Sequence, residues 1–301
     1  MPSIQGRASL RDPKGSRAAL QSRGKIVGVT PYAPWYSRLA SPLILVAGSL
    51  SYVAVLRVLL ATQNPNLFPT LLLIGAVTVP LAVLVLVCGL ERQPTGHAGL
   101  VAITAIVGGA IGTTSAGLLE YSTLKHMPWL GMLAVGVIEE SVKLVVPVII
   151  YLTARRRTEG LGVLLGVASG TGFAVLETMG YGFTTFIESR GNVDAVDQTL
   201  LLRAMLAPAG HVAWTGLATW ALWRIGDRPR HRLTRLTLVL TFVAVVLLHA
   251  TWDSSDVVLI HVGVAVVSVC ALCGAVIADD LRTRRVQREQ AVLPRRPEQT
   301  E

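Results

Sequence analysis

The sequence predicts an all-α protein, a polytopic transmembrane helical bundle of about eight spans with both termini in the cytoplasm. Three observations predict it. Only 15% of the 301 residues are charged and mean hydropathy is +0.57, whereas a soluble domain carries about 25% charged residues. The deficit is concentrated in the middle of the chain, where long apolar runs follow one another. The net charge of +9 is therefore confined to tails and loops, with a strong bias to one side.

A membrane crossing needs about 20 mostly apolar residues. Eight runs qualify: 39–62, 68–90, 98–119, 128–153, 162–187, 200–224, 235–254 and 257–278. Gly and Pro are frequent inside them, as membrane helices tolerate. With both ends inside, the cytoplasmic segments hold 22 of the 27 Lys and Arg residues. They include Arg7, Arg11, Lys14, Arg17, Arg23, Lys25 and Arg38 before the first span. Arg155, Arg156 and Arg157 follow the fourth, and Arg282, Arg284, Arg285 and Arg288 follow the eighth. Outer loops and helix ends keep only Lys125, Arg190 and Arg203. Such a bias fixes orientation, because cytoplasmic loops retain positive charge.

The basic tails, 1–38 and 281–301, are expected to be disordered. Residues 39–280 form one transmembrane domain with no repeat. The first 35 residues contain no apolar core, so the first span is read as an uncleaved anchor. No aromatic residues interleave with the basic ones as a nucleic-acid platform requires, which excludes that class of partner and leaves membrane lipid. Cys270 and Cys273 form a CxxC, but inside an apolar span they read as two small side chains one turn apart.

Ionisable groups in mid-membrane are the informative positions, because each costs about 2.5–3.5 kcal/mol to insert. The fourth span places Glu139 and Glu140 four and three residues before Lys143, so all three share a face. The fifth carries Glu177 in its middle, four residues after Phe173, among the small residues Gly166, Ala168, Ser169, Gly170 and Gly172. The sixth carries His211 beside Pro208 and Gly210. The seventh ends with His249 and Asp253 one turn apart, a spacing that suits a His oriented by a carboxylate. Phe173 and Trp214 read first as packing, Asp253 as near a solvated helix end, and His261 as structural. At about 1.5 Å per residue, Glu139, Glu140, Glu177 and His211 fall at one depth, with His249 and Asp253 one to two turns nearer the outside.

Four segments together resemble the PrsW family of intramembrane proteases, relatives of the CAAX-processing membrane endopeptidases. They are Glu139-Glu140-Ser141-Val142-Lys143, Phe173 to Glu177, Gly210-His211, and His249 to Asp253. The resemblance covers about 130–253 and marks 128–254 as a catalytic core. Thr178 stands where family members often have Asn, and Leu161-Gly162 where they often have Asp-Gly. The resemblance implies an endopeptidase of the bacterial plasma membrane that cuts a single-pass membrane protein near its extracytoplasmic side. An anti-sigma factor is the family's known substrate.

On this reading Glu140, with Glu139 beside it, activates a water. His211 and His249 orient it or stabilise the oxyanion, and Glu177 is a further catalytic carboxylate. Lys143 balances charge, Asp253 orients His249, and Phe173 supports the site. The spacing leaves two versions open: a glutamate-only reaction, or one assisted by an ion such as Zn2+ on Glu140, Glu177, His211 and His249. Two other classes use the same residues: a proton-coupled carrier, whose relays also need buried Glu, His and Asp, and a catalytically silent binding protein of the same fold.

Overall fold

A computed structural model describes residues 37–90, 97–154, 160–227 and 232–292. The N-terminal tail through residue 36, the clusters at 155–159 and 228–231, and residues 293–301 lie outside the described residues. The described residues form ten α-helices, a few short 3-10 turns and no strand. The helices are α1 (Ser37–Thr62), α2 (Phe68–Leu90), α3 (Ala98–His126), α4 (Gly131–Lys143), α5 (Val145–Thr153), α6 (Leu161–Glu188), α7 (Val193–Leu206), α8 (His211–Asp227), α9 (Arg232–Asp253) and α10 (Val258–Val292). Six of them, α1, α2, α3, α6, α9 and α10, are long and apolar enough to cross a membrane. The protein is a helical membrane bundle.

The two remaining predicted spans, 128–153 and 200–224, are each broken into a pair of helices: α4 with α5, and α7 with α8. The cause of the first break is Pro147. It lacks the N–H that would bond the carbonyl of Lys143 one turn earlier. In a bilayer an orphaned carbonyl costs several kcal/mol, and here Ser169 of α6 donates its hydroxyl to Lys143 O at 2.7 Å. The second break lies at Ala207–Ala209, where Pro208 sits in a 3-10 turn and Gly210 adopts a non-helical conformation before α8 begins. Further out, α7 starts at Val193, seven residues before the predicted span. Asn192 caps it by accepting from the amides of Asp194 and Ala195.

The centre of the bundle is α6, packed against α3 on one side and α8 on the other, with α2 and α7 completing its surround. Every residue from Leu161 to Thr171 is buried. Glycine explains the closeness. A side chain added at Gly166 would run into the carbonyl of Thr215, at Gly170 into that of His211, and at Gly172 into that of Ala105. The backbones thus approach as small residues permit, and van der Waals contact replaces the hydrophobic drive that lipid does not supply. At the rim, Tyr52 of α1 donates to Asp197 of α7 at 2.6 Å.

One expectation fails at the C-terminus. The last helix continues to Val292, well past the predicted span end at 278, so 281–292 is helical rather than disordered. Its charged end has helix-favouring residues such as Arg, Gln and Glu, which extend a helix without an apolar face to bury.

Candidate functional site

The site residues come from α4, α6, α8 and α9, which converge around the middle of α6. The C-terminal half of α4 carries Glu139, Glu140 and Lys143, all buried, with Glu140 and Lys143 wholly so. Lys143 occupies the last turn of α4, where the helix dipole favours a cation. Its ammonium donates to Glu140 Oε1 at 2.8 Å, to Glu139 Oε2 at 3.3 Å and to His211 Nδ1 at 2.7 Å. The ring of Phe173 lies beneath it, 4.4 Å from Nζ, so Phe173 does more than pack.

His211 is the first residue of α8, a position created by the break at Pro208 and Gly210. Because Lys143 donates to Nδ1, the ring's other nitrogen carries the proton and donates to Glu177 Oε2 at 2.8 Å. Arg203 of α7 donates to the same Glu177 oxygen at 2.6 Å and reaches Thr178 Oγ1 at 3.3 Å. The guanidinium also stacks on Tyr181.

His249 of α9 is 1% exposed. Its Nδ1 faces Glu140 Oε1 at 2.8 Å and its Nε2 faces Asp253 Oδ2 at 3.1 Å. The indole of Trp214 stacks on it with centroids 4.8 Å apart, and is itself fixed by donating to Ser268 at 2.9 Å. The rings of His211 and His249 are 5.2 Å apart. The backbone of His249 lies beside Gly136, one helical turn before Glu140 in α4, and its imidazole reaches across that turn to Glu140.

All eight predicted residues thus meet in one cluster. The cluster borders a cavity of about 400 Å³, lined by Glu177, Arg203, His211, Trp214, Asp253 and His261 among others. His261 lines this cavity and bonds to the carbonyl of Trp252 at 3.1 Å.

Two residues escaped the sequence reading. Arg203 counts there only as an outer helix-end charge, yet it clamps Glu177. Glu120, near the outer end of α3, lies against Glu139, and its Oε1 is buried without a hydrogen-bond partner. It falls one residue past the predicted third span. The rule that marked the other carboxylates, an acid inside an apolar run, marks this one too once the helix is extended.

Glu139, His211 and His249 each offer a ligand atom, and these atoms lie within 4.8 Å of one another. Two imidazoles and a carboxylate are donors that suit zinc, and the surrounding surplus of carboxylates suits a divalent charge. The residues therefore fit a metal ion in kind and spacing. The group that meets this spacing holds Glu139 together with the two histidines, in place of the expected Glu140 and Glu177. Glu140 Oε1 is taken by Lys143 and His249, and Glu177 Oε2 by His211 and Arg203.

No curated protein and no solved structure matches the chain. A family model described as PrsW family intramembrane metalloprotease matches residues 95–278, more than half of the chain, and the protein belongs to that family.

Proposed function

We propose that the protein is an endopeptidase that hydrolyses a peptide bond of a membrane-anchored protein near its extracytoplasmic side. The observation that carries this reading is the convergence of Glu139, His211 and His249, with His211 also lining a cavity beside Glu177, Arg203 and Asp253. The eight-crossing topology, with α4–α5 and α7–α8 each counted as one crossing and both termini cytoplasmic, agrees with that side and with residence in a bacterial cell membrane. A single-pass anti-sigma factor is the substrate class that the family relationship supports.

In this mechanism Glu139, rather than Glu140, accepts the proton of the attacking water. Glu140 is fully buried and one of its oxygens is committed to Lys143 and His249, whereas Glu139 lies between the two imidazoles and keeps some access. The water oxygen bonds to the scissile carbonyl carbon, the C–N bond breaks, and Glu139 returns the proton to the leaving amine. His211 and His249 orient the water and face the developing oxyanion. Glu177 fixes the ring of His211, and Asp253 with Glu140 fixes that of His249. Lys143 offsets the charge of the carboxylates. Glu139, His211 and His249 are the residues that would hold a metal ion, which would supply Lewis acidity.

The test is cleavage of a tethered candidate substrate by protein reconstituted in liposomes. Cleavage abolished in Glu139→Gln and His211→Ala supports the assignment. Full cleavage in both variants, or proton-coupled flux with no cleavage by the wild type, overturns it.

A further inference from the structure

Lys143 stands where a cation ligand set is waiting. Of the three metal-capable residues, two already touch its ammonium: His211 through Nδ1 at 2.7 Å and Glu139 through Oε2 at 3.3 Å. The contact with His211 is the decisive one. A ring nitrogen has a single lone pair, which cannot accept a hydrogen bond and ligate a metal together. The other nitrogen of His211 is held by Glu177, which Arg203 holds in turn. That arrangement orients a ligating ring from behind and leaves Nδ1 as the atom that faces the site. His249 is similarly engaged at both nitrogens. All four imidazole nitrogens thus have protein partners, and an ion held by both rings must displace at least one partner on each, Lys143 being the cationic one.

The ammonium has somewhere to go. Glu140 Oε2 is buried and has no hydrogen-bond partner, although Glu140 Oε1 already receives Lys143 at 2.8 Å. A small rotation of the lysine terminus toward Glu140 would satisfy that oxygen and free Nδ1 of His211. The end of α4 permits such adjustment, because Pro147 has already broken the helix one residue beyond Lys143.

We infer that the Lys143 ammonium and a divalent cation are alternative occupants of one site, so that metal uptake requires Lys143 to leave His211 and Glu139 for Glu140. The inference rests on the hydrolytic reading above and deepens it, because it makes ion occupancy a quantity that the chain itself opposes. Lys143 is a positioning residue here: it holds the donors apart from an ion until the ion displaces it.

The experiment measures Zn2+ affinity of the purified full-length protein by competition with a fluorescent chelator, and Co2+ absorption for stoichiometry. Lys143→Met removes the charge at similar length, and Lys143→Gln is the second variant. Both are expected to bind one ion about tenfold or more tightly than wild type, the worth of a displaced charge-assisted hydrogen bond. His211→Ala should lose the binding. Equal or weaker affinity in both lysine variants overturns the inference. If neither variant folds, the 15N resonance of the lysine ammonium in wild type decides: it moves on saturation with Zn2+ if the ammonium is displaced, and an unmoved resonance with one ion bound overturns the proposal. Failure of all forms to bind any ion overturns the proposal and removes the metal from the mechanism, whereas cleavage by the ion-free protein keeps the peptidase reading intact.

Discussion

The two broken crossings meet the site in opposite senses. In α4–α5 the break falls after the functional residues, so Lys143 sits at a helix C-terminus. In α7–α8 the break falls before them, so His211 opens a new helix. Proline causes both interruptions, but the repairs differ. The carbonyl released by Pro147 is satisfied by the Ser169 hydroxyl from the neighbouring helix. At Pro208 the chain tightens into a 3-10 turn, and the glycine of α6 lets the His211 carbonyl come close. The first break is mended by a side chain of α6, and the second is bordered by a glycine of the same helix, so a single helix packs against both the lysine and the histidine.

That comparison can be broken at several points. The largest effect is expected from removing the proposed base or the residue that opens α8. Glu139→Gln and His211→Ala should each lower kcat by about 10³-fold, measured on the reconstituted enzyme. Asp253→Asn keeps the shape but not the charge that faces His249 Nε2. A loss of about 10- to 100-fold is expected, with little change in KM. Gly170→Val tests the close approach of α6 to the start of α8. The added side chain meets the His211 carbonyl, and a destabilisation of about 2–3 kcal/mol should appear in denaturant-induced unfolding, with lower activity because α8 is displaced. Ser169→Ala tests the repair of the first break and should cost about 1–2 kcal/mol by leaving the Lys143 carbonyl unsatisfied. The sharpest form is a double-mutant cycle. Pro147→Ala restores an N–H for that carbonyl, so it should recover most of the loss caused by Ser169→Ala. Strict additivity would show that the hydroxyl is not the repair.

Much of this was legible in the residues. Hydropathy located the six long apolar helices, and the cost of burying charge singled out Glu139, Glu140, Glu177 and His211. Helical spacing paired His249 with Asp253. What spacing could not supply was the helix-to-helix geometry. Nothing in the sequence of α7 says that Arg203 turns inward to Glu177, and nothing in the sequence of α6 says that Ser169 answers a proline twenty-two positions earlier. Pro147 and Pro208 were visible as residues, but a membrane helix can kink at proline or break there, and neighbours decide which. The choice between Glu139 and Glu140 as base was equally out of reach, because adjacent residues on a helix differ only in which neighbour they face.

The four contributing helices have a consequence for how the protein is made. Its reactive groups are spread from Glu139 to Asp253, and no two of the helices α4, α6, α8 and α9 complete the cluster without the others. A nascent chain released before α9 holds carboxylates and a lysine but lacks His249 and the carboxylate that orients it. On the proposed assignment, hydrolytic competence arrives late in synthesis, after the acidic half of the centre has been threaded into the bilayer. A chain terminated upstream of His249 is then an inert fragment rather than an unregulated peptidase.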